Sequence, residues 1–136
     1  MELKPIGIIH SPYKNQESAP KQGNLSEEEA TIEVFEEYTT GLKDIERCTH
    51  LIILFYFHKS KTWSLLQVPH LGDGARGVFT IRSPHRPNHI GFTVVRLLEK
   101  KDNILKIRGV DMLDGSPVID IKPYISQFDS YDSSSL

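Results

Sequence analysis

Short runs of β-branched and apolar residues, spaced along the whole chain, dominate its hydrophobic pattern. Residues 30–35 read ATIEVF, in which polar Thr31 and Glu33 alternate with apolar neighbours, the period of a half-buried strand. Residues 51–57 are continuously apolar and aromatic, which predicts a strand buried on both faces. The same criteria predict further strands at residues 6–10, 77–81, 92–98, 104–110 and 118–121.

This set of about seven strands leaves little of the chain for helix. Only residues 42–47 favour a helix, and six residues make less than about two turns. The pattern therefore predicts a mainly β fold, either a barrel or a sandwich, arranged so that its strand edges are covered. Residues 114–117, with the sequence Asp-Gly-Ser-Pro, have the composition of a hairpin turn between residues 104–112 and 118–121.

Nothing in the sequence divides the chain into separate units. We expect a single domain over residues 1–128, followed by a flexible tail at residues 129–136. Three long irregular segments interrupt the strands, at residues 12–26, 58–76 and 83–91. Irregular segments of this length inside a compact domain are typically functional, so we expect the site among them.

Composition excludes several classes of protein. The longest apolar run, residues 51–57, is far shorter than the roughly 20 residues that cross a bilayer. The first residues lack the apolar stretch of a signal peptide, so we expect a cytoplasmic protein without membrane contact. Cys48 is the only cysteine, which rules out an intrachain disulfide and a multi-cysteine zinc site.

Charge is distributed unevenly, although the net formal charge is only −2. Ten of the 18 acidic residues lie within residues 1–47, whereas residues 74–98 contain no acid and four of the six arginines. The guanidinium group offers a planar fork of donors that suits carboxylates and phosphates. This segment is either a solvated basic face or a binding loop for an anion, and its prolines, glycines and asparagine favour the loop.

Two familiar patterns in the chain lack the structural context they require. Residues 72–77 match G-x-G-x-x-G, but a strand is expected after them, whereas a dinucleotide site needs a helix there. His85 and His89 have the spacing of a helical metal pair, yet Pro84 and Pro87 disfavour a helix and no third ligand is near. We therefore expect no metal site. His58, at the end of a strand, fits a polar strand end and a ligand contact equally well.

Three segments closely resemble the TsaA-like, or TrmO, family of tRNA methyltransferases. They are IGIIHSPYK at residues 6–14, GVFTIRSPHRPNHIGFTVVRL at 77–97 and GVDMLDGSPVIDIKPYI at 109–125. They occur in the family's order, and the resemblance extends over roughly residues 3–128. One position departs from the family pattern: His89 stands where the family has proline, which predicts a less rigid loop.

The resemblance implies a small β-barrel-like fold, unrelated to Rossmann methyltransferases, that forms a homodimer. It implies S-adenosyl-L-methionine (SAM) as the cofactor, bound near the dimer interface, and tRNA as the partner. The reaction implied is methyl transfer to N6 of threonylcarbamoyladenosine at position 37, next to the anticodon. The family's cofactor contacts would fall on Pro20, Lys21, Gln22, His58, Lys59, Arg82, Phe92, Asp114, Gly115, Ser116 and Pro117.

For the RNA substrate we expect contacts to anionic groups from the arginine-rich segment. Our hypothesis is that Arg86 and Asn88 are catalytic and hold the modified base, while Arg82 bridges donor and acceptor. Arg76 and His85 would contribute further RNA contacts. Two alternatives stay open on the sequence: a SAM-binding barrel that binds RNA or a partner without transferring a methyl group, and a methyltransferase with another substrate.

Overall fold

The computed structural model describes residues 1–15, 19, 27–69 and 74–133, and most of their regular structure is β. The longer strands are β1 (Gly7–His10), β2 (Glu29–Val34), β3 (His50–Tyr56), β6 (Ile90–Lys101), β7 (Ile104–Arg108) and β8 (Pro117–Pro123). Two short strands, β4 (Leu66–Gln67) and β5 (Arg76–Gly77), pair with each other. The helical segments are 3₁₀ helices at Glu36–Leu42, Ile45–Arg47 and Val78–Thr80, and one α-helical turn, α1 (Ser126–Asp129).

The six longer strands close into an antiparallel barrel in the order β1-β2-β7-β6-β3-β8. This confirms the mainly β prediction and selects the barrel over the sandwich. Closure also pairs both edges of every one of these strands, which is the protection that the sequence pattern required. Among the described residues, no helix has the length and apolar character needed to cross a membrane.

Alternate residues of the strands point inward and form one core. Ile9, Ile32, Ile53, Leu105 and Ile107 are fully buried, with no exposed surface. Each such side chain contributes roughly 1.5–3 kcal/mol when it leaves water, so this ring of aliphatic groups is the main source of stability.

Two connections cross the ends of the barrel, because they join strands on opposite sides of the ring. β7 and β8 are three places apart in the strand order, and residues 109–116 cross between them with Val110 and Met112 fully buried. β2 and β3 are also three places apart, and residues 35–49 cross the other end with Leu42 buried. Each crossing therefore closes one end of the core.

Closure corrects the prediction that residues 51–57 are buried on both faces. In β3 only Leu51, Ile53 and Phe55 are buried, while Tyr56 retains 41% of its surface exposed. A barrel has a single interior, so the second set of side chains on β3 lies on the outer surface. The apolar run thus marks a strand whose outer face is also apolar.

The predicted strand at residues 77–81 is wrong beyond its first residue. Only Arg76–Gly77 is a strand, and Val78–Thr80 forms a 3₁₀ turn. Two side-chain hydrogen bonds stabilise this turn. The Thr80 hydroxyl donates to the Gly77 carbonyl at 2.8 Å, and Arg76 Nη2 donates to the Thr80 carbonyl at 3.2 Å. A buried Val78 anchors the turn, while Phe79 is 80% exposed.

The structure also bears on three other features of the sequence prediction: a helix, a hairpin turn and the C-terminal tail. The helix expected at residues 42–47 is replaced by two 3₁₀ helices, separated by Asp44 with a left-handed φ of 66°. Residues 114–117 do form a turn, but not a hairpin, because β7 pairs with β2 and β6 and never with β8. The expected tail begins inside α1, and residues 134–136 lie outside the described residues.

A glycine at the start of β6 makes the tightest approach to the core side chains. A Cβ built on Gly91 would lie 2.7 Å from both Cε atoms of the Phe55 ring, which is buried and packs edge-on against Phe57 at 5.0 Å. Nothing lies within 4 Å of the corresponding position on Gly41. The two glycines therefore provide a matched pair for testing the packing.

We expect Gly91→Ala to lower the free energy of unfolding by about 1–3 kcal/mol, because the Phe55 ring must shift in a packed core. Gly41→Ala should change it by less than about 0.5 kcal/mol, since it adds a methyl group in open space. Chemical denaturation of both variants measures the difference. Equal stabilities for the two variants would show that Gly91 is not packed as described.

Candidate functional site

Three irregular segments meet at the barrel end that residues 109–116 close. They follow β1, follow β3 and precede β8, so strand direction brings them to the same end. Lys14 connects all three: its Nζ donates to Asp114 Oδ2 at 2.7 Å, and its carbonyl accepts from Lys59 Nζ at 2.6 Å. We call these segments, residues 11–15, 57–60 and 109–117, the loop junction.

The turn at Asp114 is fixed by contacts to the segment that follows β1. Asp114 Oδ1 accepts from the Ser11 amide at 3.0 Å, and the Asp114 amide donates to the Tyr13 carbonyl at 2.7 Å. The hydrogen bond from Lys14, followed by that from Ser11, lowers the pKa of Asp114, so its carboxylate is charged at neutral pH. Gly115 then takes a left-handed φ of 83°, a conformation that glycine adopts without strain.

His58 faces this turn from the end of β3. Its Nε2 lies 3.7 Å from the position of a Cβ built on Gly115. Its Nδ1 is buried beside the Tyr56 backbone, without a hydrogen bond of good geometry. Burial lowers the pKa of His58 and the charge of Lys59 lowers it further, whereas the Tyr56 backbone and the Asp114 carboxylate raise it by less, so the ring is neutral at neutral pH. The Nε2 side of the ring, next to the glycine turn, is a natural contact point for a ligand.

A second group of predicted residues lies on the outer surface where β6 begins. The Arg82 guanidinium lies 5.3 Å from the centre of the Phe92 ring, a cation–π arrangement. Phe92 is 41% exposed, so the ring has a free surface as well as its contact with Arg82.

The segment at residues 81–86 is stabilised from within by Arg86. Its Nη1 donates to the carbonyls of Ile81 at 3.0 Å and Ser83 at 3.2 Å. The other guanidinium nitrogens make no hydrogen bond within the described part of the chain. Arg86 therefore shapes its loop with one nitrogen and presents the others outward, and neighbouring Asn88 is exposed.

Two hydroxyl residues that the sequence analysis did not select hold this segment against the loop junction. The Ser60 hydroxyl donates to the Pro84 carbonyl at 3.1 Å. The Thr62 hydroxyl lies 3.0 Å from His85 Nδ1, and that of Ser60 lies 3.4 Å from the same atom. His85 thus has a structural partner on one nitrogen. Isolated serines and threonines in a polar loop gave no sequence signal for this role.

His89, the departure from the family pattern, makes three contacts. Its Nδ1 lies 2.9 Å from the Pro84 carbonyl, and its own carbonyl accepts from the Phe57 amide at 2.9 Å. Its ring also meets Tyr56 edge-on at 6.1 Å. The expectation of a less rigid loop is not tested here, but a side-chain hydrogen bond across residues 84–89 restrains the backbone in place of a proline ring.

The structure brings together only some of the residues predicted for the site. His58, Lys59 and the turn at residues 114–117 belong to the loop junction, with Ser116 buried and donating to the Leu113 carbonyl at 2.7 Å. Arg82 and Phe92 form their own pair on the outer surface. Arg76 bonds within its own turn and, in the part of the chain that the structure describes, makes no hydrogen bond or ion pair with either group. Pro20, Lys21 and Gln22 lie outside the described residues.

Lys14 and Ser11 are the site residues that the sequence analysis did not assign. Both lie in the quoted segment at residues 6–14, where a Ser-Pro pair directly after a strand was the available signal. The described residues contain no group of three or more histidine, cysteine, aspartate or glutamate side chains placed to hold a metal ion. The site thus offers backbone groups, one neutral imidazole, an exposed aromatic ring and several fixed cations.

Comparison with known proteins identifies the family to which this fold belongs. A family model described as the tRNA-methyltransferase O N-terminal domain matches residues 8–130. The crystal structure of TrmO from Pseudomonas aeruginosa superposes with a TM-score of 0.84 at 34% identity, over 99% of this chain and 61% of that one. The fold is thus that of the N-terminal domain described by this family model. The chain belongs to the tRNA-methyltransferase O (TrmO) family.

Similar proteins carry two kinds of name. A probable S-adenosyl-L-methionine-binding protein of Archaeoglobus fulgidus is 53% identical over 130 residues, 96% of this chain and 36% of that protein. A second A. fulgidus protein, named S-adenosyl-L-methionine-binding protein, is 50% identical over 95% of this chain and 93% of its own length. The tRNA (adenine(37)-N6)-methyltransferase of Homo sapiens is 36% identical over 93% of this chain and 31% of that protein. The chain thus spans about a third of two of these relatives.

The lowered pKa of His58 gives a prediction about acid stability. When the folded-state pKa of a histidine lies below the unfolded value, the unfolded chain takes up its proton first, and stability falls as pH drops through the ordinary value of 6.5. His58→Gln should remove this part of the pH dependence. Denaturation of both proteins above and below that pH, with an NMR titration of the imidazole, measures it.

Identical pH profiles for the wild type and His58→Gln would contradict the burial of this ring. His10→Gln serves as the control, because it removes an exposed histidine, 3.1 Å from Glu33, and leaves the His58 ring intact. The loss of stability with falling pH that is assigned to His58 should persist in this variant.

Proposed function

We propose that this protein binds SAM at the loop junction and transfers its methyl group to N6 of adenosine 37 in tRNA, with the threonylcarbamoylated base as substrate. One observation carries the proposal: His58 Nε2 faces the Gly115 turn, 3.7 Å from the position of a Cβ there, at the end of the barrel where Lys14 joins three loops. Membership of the TrmO family and the names of its relatives support the same activity. A tRNA substrate also implies action in the cytoplasm.

The residues of the loop junction fit the cofactor. The neutral His58 ring offers a hydrogen-bond contact without adding a positive charge near a sulfonium. Gly115 leaves open the space that a side chain would take, and the backbone on either side is held by Ile9 and Leu113 carbonyls. The ionised Asp114 supplies a negative charge one residue away. The remaining surface would come from Lys59, Ser116 and Pro117, with Arg82 and Phe92 at the outer side.

SAM supplies a methyl group on a positively charged sulfur, which an amine nitrogen can attack in line without a metal. The protein's task is then to hold the two groups in line, and correct placement alone can contribute about 7–11 kcal/mol to the rate. In threonylcarbamoyladenosine, N6 lies between the purine ring and a carbonyl, so its proton is more acidic than that of adenine. A strong general base on the protein is therefore less necessary in this proposal.

The acceptor is held, in this proposal, by the segment at residues 82–89. Arg86 offers the guanidinium nitrogens that its own loop does not use, and they suit the threonyl carboxylate. The exposed amide of Asn88 orients the base, and Arg82 lies between this segment and the donor. Arg76 and His85 contribute to phosphate binding from the neighbouring loop.

We further propose that two chains associate as a homodimer through the exposed apolar surface beside the site. Its members are large apolar side chains that a monomer leaves in water: Tyr56, Trp63, Leu66, Val68 and Phe79. Exposed apolar patches of this kind on soluble domains commonly mark association surfaces. The association would place residues of both chains near one donor site.

The dimer proposal predicts that Phe79→Asp, which places a charge on a residue 80% exposed, shifts the protein to monomers without unfolding it. Sedimentation velocity with circular dichroism as a folding check measures this. Lys4→Asp, at an exposed position outside the patch, serves as the control. A wild-type protein that sediments as a monomer while fully active would refute the dimer.

A second candidate is a SAM-binding module that recognises RNA without methyl transfer. The A. fulgidus relative that this chain covers over 93% of its length carries a name that states binding alone, and this favours the module. Incubation with methyl-labelled SAM and tRNA that carries threonylcarbamoyladenosine separates the two functions. Label on N6 of residue 37 supports the enzyme, whereas cofactor binding without label on RNA supports the module.

For the catalytic assignment, we expect Arg86→Ala to lower kcat/KM for threonylcarbamoylated tRNA at least tenfold, a loss of about 1.4 kcal/mol in transition-state binding. Lys43→Ala, which removes an exposed charge at the opposite end of the barrel, should leave turnover unchanged. Steady-state kinetics on both variants provides the measurement. Activity of Arg86→Ala within about threefold of the wild type would rule out this role.

A further inference from the structure

A row of basic side chains crosses the outer surface of the barrel, beginning at the end of β7 beside the loop junction. Strand register places Arg96 of β6 directly opposite Arg108 of β7 on one side and His50 of β3 on the other. We call these three residues the cross-strand row. Paired residues on neighbouring strands have Cα atoms about 5 Å apart, so the row extends over roughly 10 Å.

Like charges in directly opposed positions are unfavourable unless something neutralises them. Arg108 has a carboxylate partner, since its Nη2 lies 3.1 Å from Glu29 Oε2, but Lys106 shares the same carboxylate at 3.3 Å. The Arg96 guanidinium makes no ion pair or hydrogen bond with any residue that the structure describes. The centre of the row therefore carries a charge that the described residues leave uncompensated.

The row lies on the same face of the same strand as part of the candidate site. Phe92, Val94 and Arg96 alternate along the outer face of β6, and Phe92 stacks with Arg82. Phe92 and Arg96 are four positions apart on β6, so their Cα atoms are about 14 Å apart. An extended polyanion with one residue in the site could thus follow β6 to the row without leaving this surface.

An aromatic ring extends the row beyond His50. The Tyr124 amide donates to the His50 carbonyl at 3.1 Å, and the two rings meet edge-on with centres 6.3 Å apart. Arginines beside partly exposed aromatic rings, such as the half-buried Tyr124, are a combination that binds nucleic acid through phosphates and bases. A carboxylate-bearing protein surface would satisfy the charges but would make no specific use of the adjoining ring.

We propose that the cross-strand row is a second RNA contact, which binds backbone phosphates of the tRNA anticodon arm while residue 37 occupies the loop junction. The proposal extends the proposed function to a further surface and rests on tRNA being the substrate. Phosphate contacts hold and orient a nucleic acid without reading its sequence. The row accordingly increases affinity for any anticodon arm and sets its direction across β6.

Binding of a fluorescently labelled anticodon stem-loop RNA, measured by anisotropy over a range of salt, tests this without methyl transfer. Arg96→Ala should raise Kd about tenfold, the loss typical of a charge-assisted contact. It should also lower the slope of log K against log[salt] by about 0.7–0.9, one phosphate contact. Arg96→Lys, which keeps the charge, should restore most of the slope.

Lys122→Ala is the matched control, because it removes one positive charge on neighbouring β8 that Asp120 already neutralises at 2.9 Å. Its Kd should stay within about twofold of the wild type. Equal losses in Arg96→Ala and Lys122→Ala, or no loss in either, would overturn the proposal. A change of oligomeric state in Arg96→Ala, measured by sedimentation, would also overturn it by assigning the row to a protein interface.

Two further measurements separate this inference from the proposed function. Calorimetry with SAM should give the same affinity for Arg96→Ala and the wild type. Arg96 lies about 14 Å along β6 from Phe92, the cofactor-contact residue on this strand. If the wild type binds the RNA with the predicted salt slope but transfers no label, the methyltransferase proposal fails and the row stands. If Arg96→Ala has wild-type RNA affinity while label is transferred, the row fails and the methyltransferase stands.

Discussion

Closure of the six-stranded sheet determines where every candidate functional group lies. In the order β1-β2-β7-β6-β3-β8, the chain must cross the barrel axis twice, because β2 and β3, and β7 and β8, stand on opposite sides. The crossing at residues 109–116 buries Val110 and Met112 in the end of the core and leaves Asp114–Pro117 at the rim. The segments after β1 and β3 arrive at the same rim, so the loop junction follows from the topology. Irregular loops, rather than a nucleotide-binding helix, therefore form this end of the barrel.

Charge is arranged differently at the two candidate binding surfaces. Within the loop junction, Lys14 and Asp114 pair at 2.7 Å, the His58 ring is held neutral by burial, and Lys59 adds a positive charge beside the pair. On the outer surface, Arg82 and Arg96 present cations along one strand face. The first environment offers both signs of charge, which suits a cofactor that carries a sulfonium and a carboxylate, and the second suits a polyanion. One strand, β6, joins the two.

Strand positions could be predicted from the sequence wherever alternation or a β-branched run was strong, as in residues 30–35 and 104–110. The sequence did not show which strands pair with each other. The apolar run at 51–57 could not reveal that its second face is an outer surface. The turn at 114–117 could not reveal that its flanking strands never pair. Residues 77–81 have strand composition, yet hydrogen bonds from Thr80 and Arg76 close a 3₁₀ turn instead.

For the site, motif resemblance selected His58, Lys59 and the Asp114 turn, and the structure places them in one junction. It gave no role to Lys14, Ser60 or Thr62, because their function depends on contacts between segments far apart in the chain. His89 illustrates the same limit. Its identity predicted a loop without proline rigidity, while its hydrogen bond to the Pro84 carbonyl is a tertiary feature that no spacing rule contains.

The most direct test of the central claim is hydrogen–deuterium exchange on the purified protein with and without SAM. A ligand that binds the loop junction must suppress opening of all three of its segments together. We predict slower amide exchange in residues 11–15, 57–60 and 109–117 at once, with the β6–β7 hairpin turn at residues 102–103 unchanged. Unaltered exchange in these segments, or protection confined to the opposite end of the barrel around residues 35–49, would contradict the account.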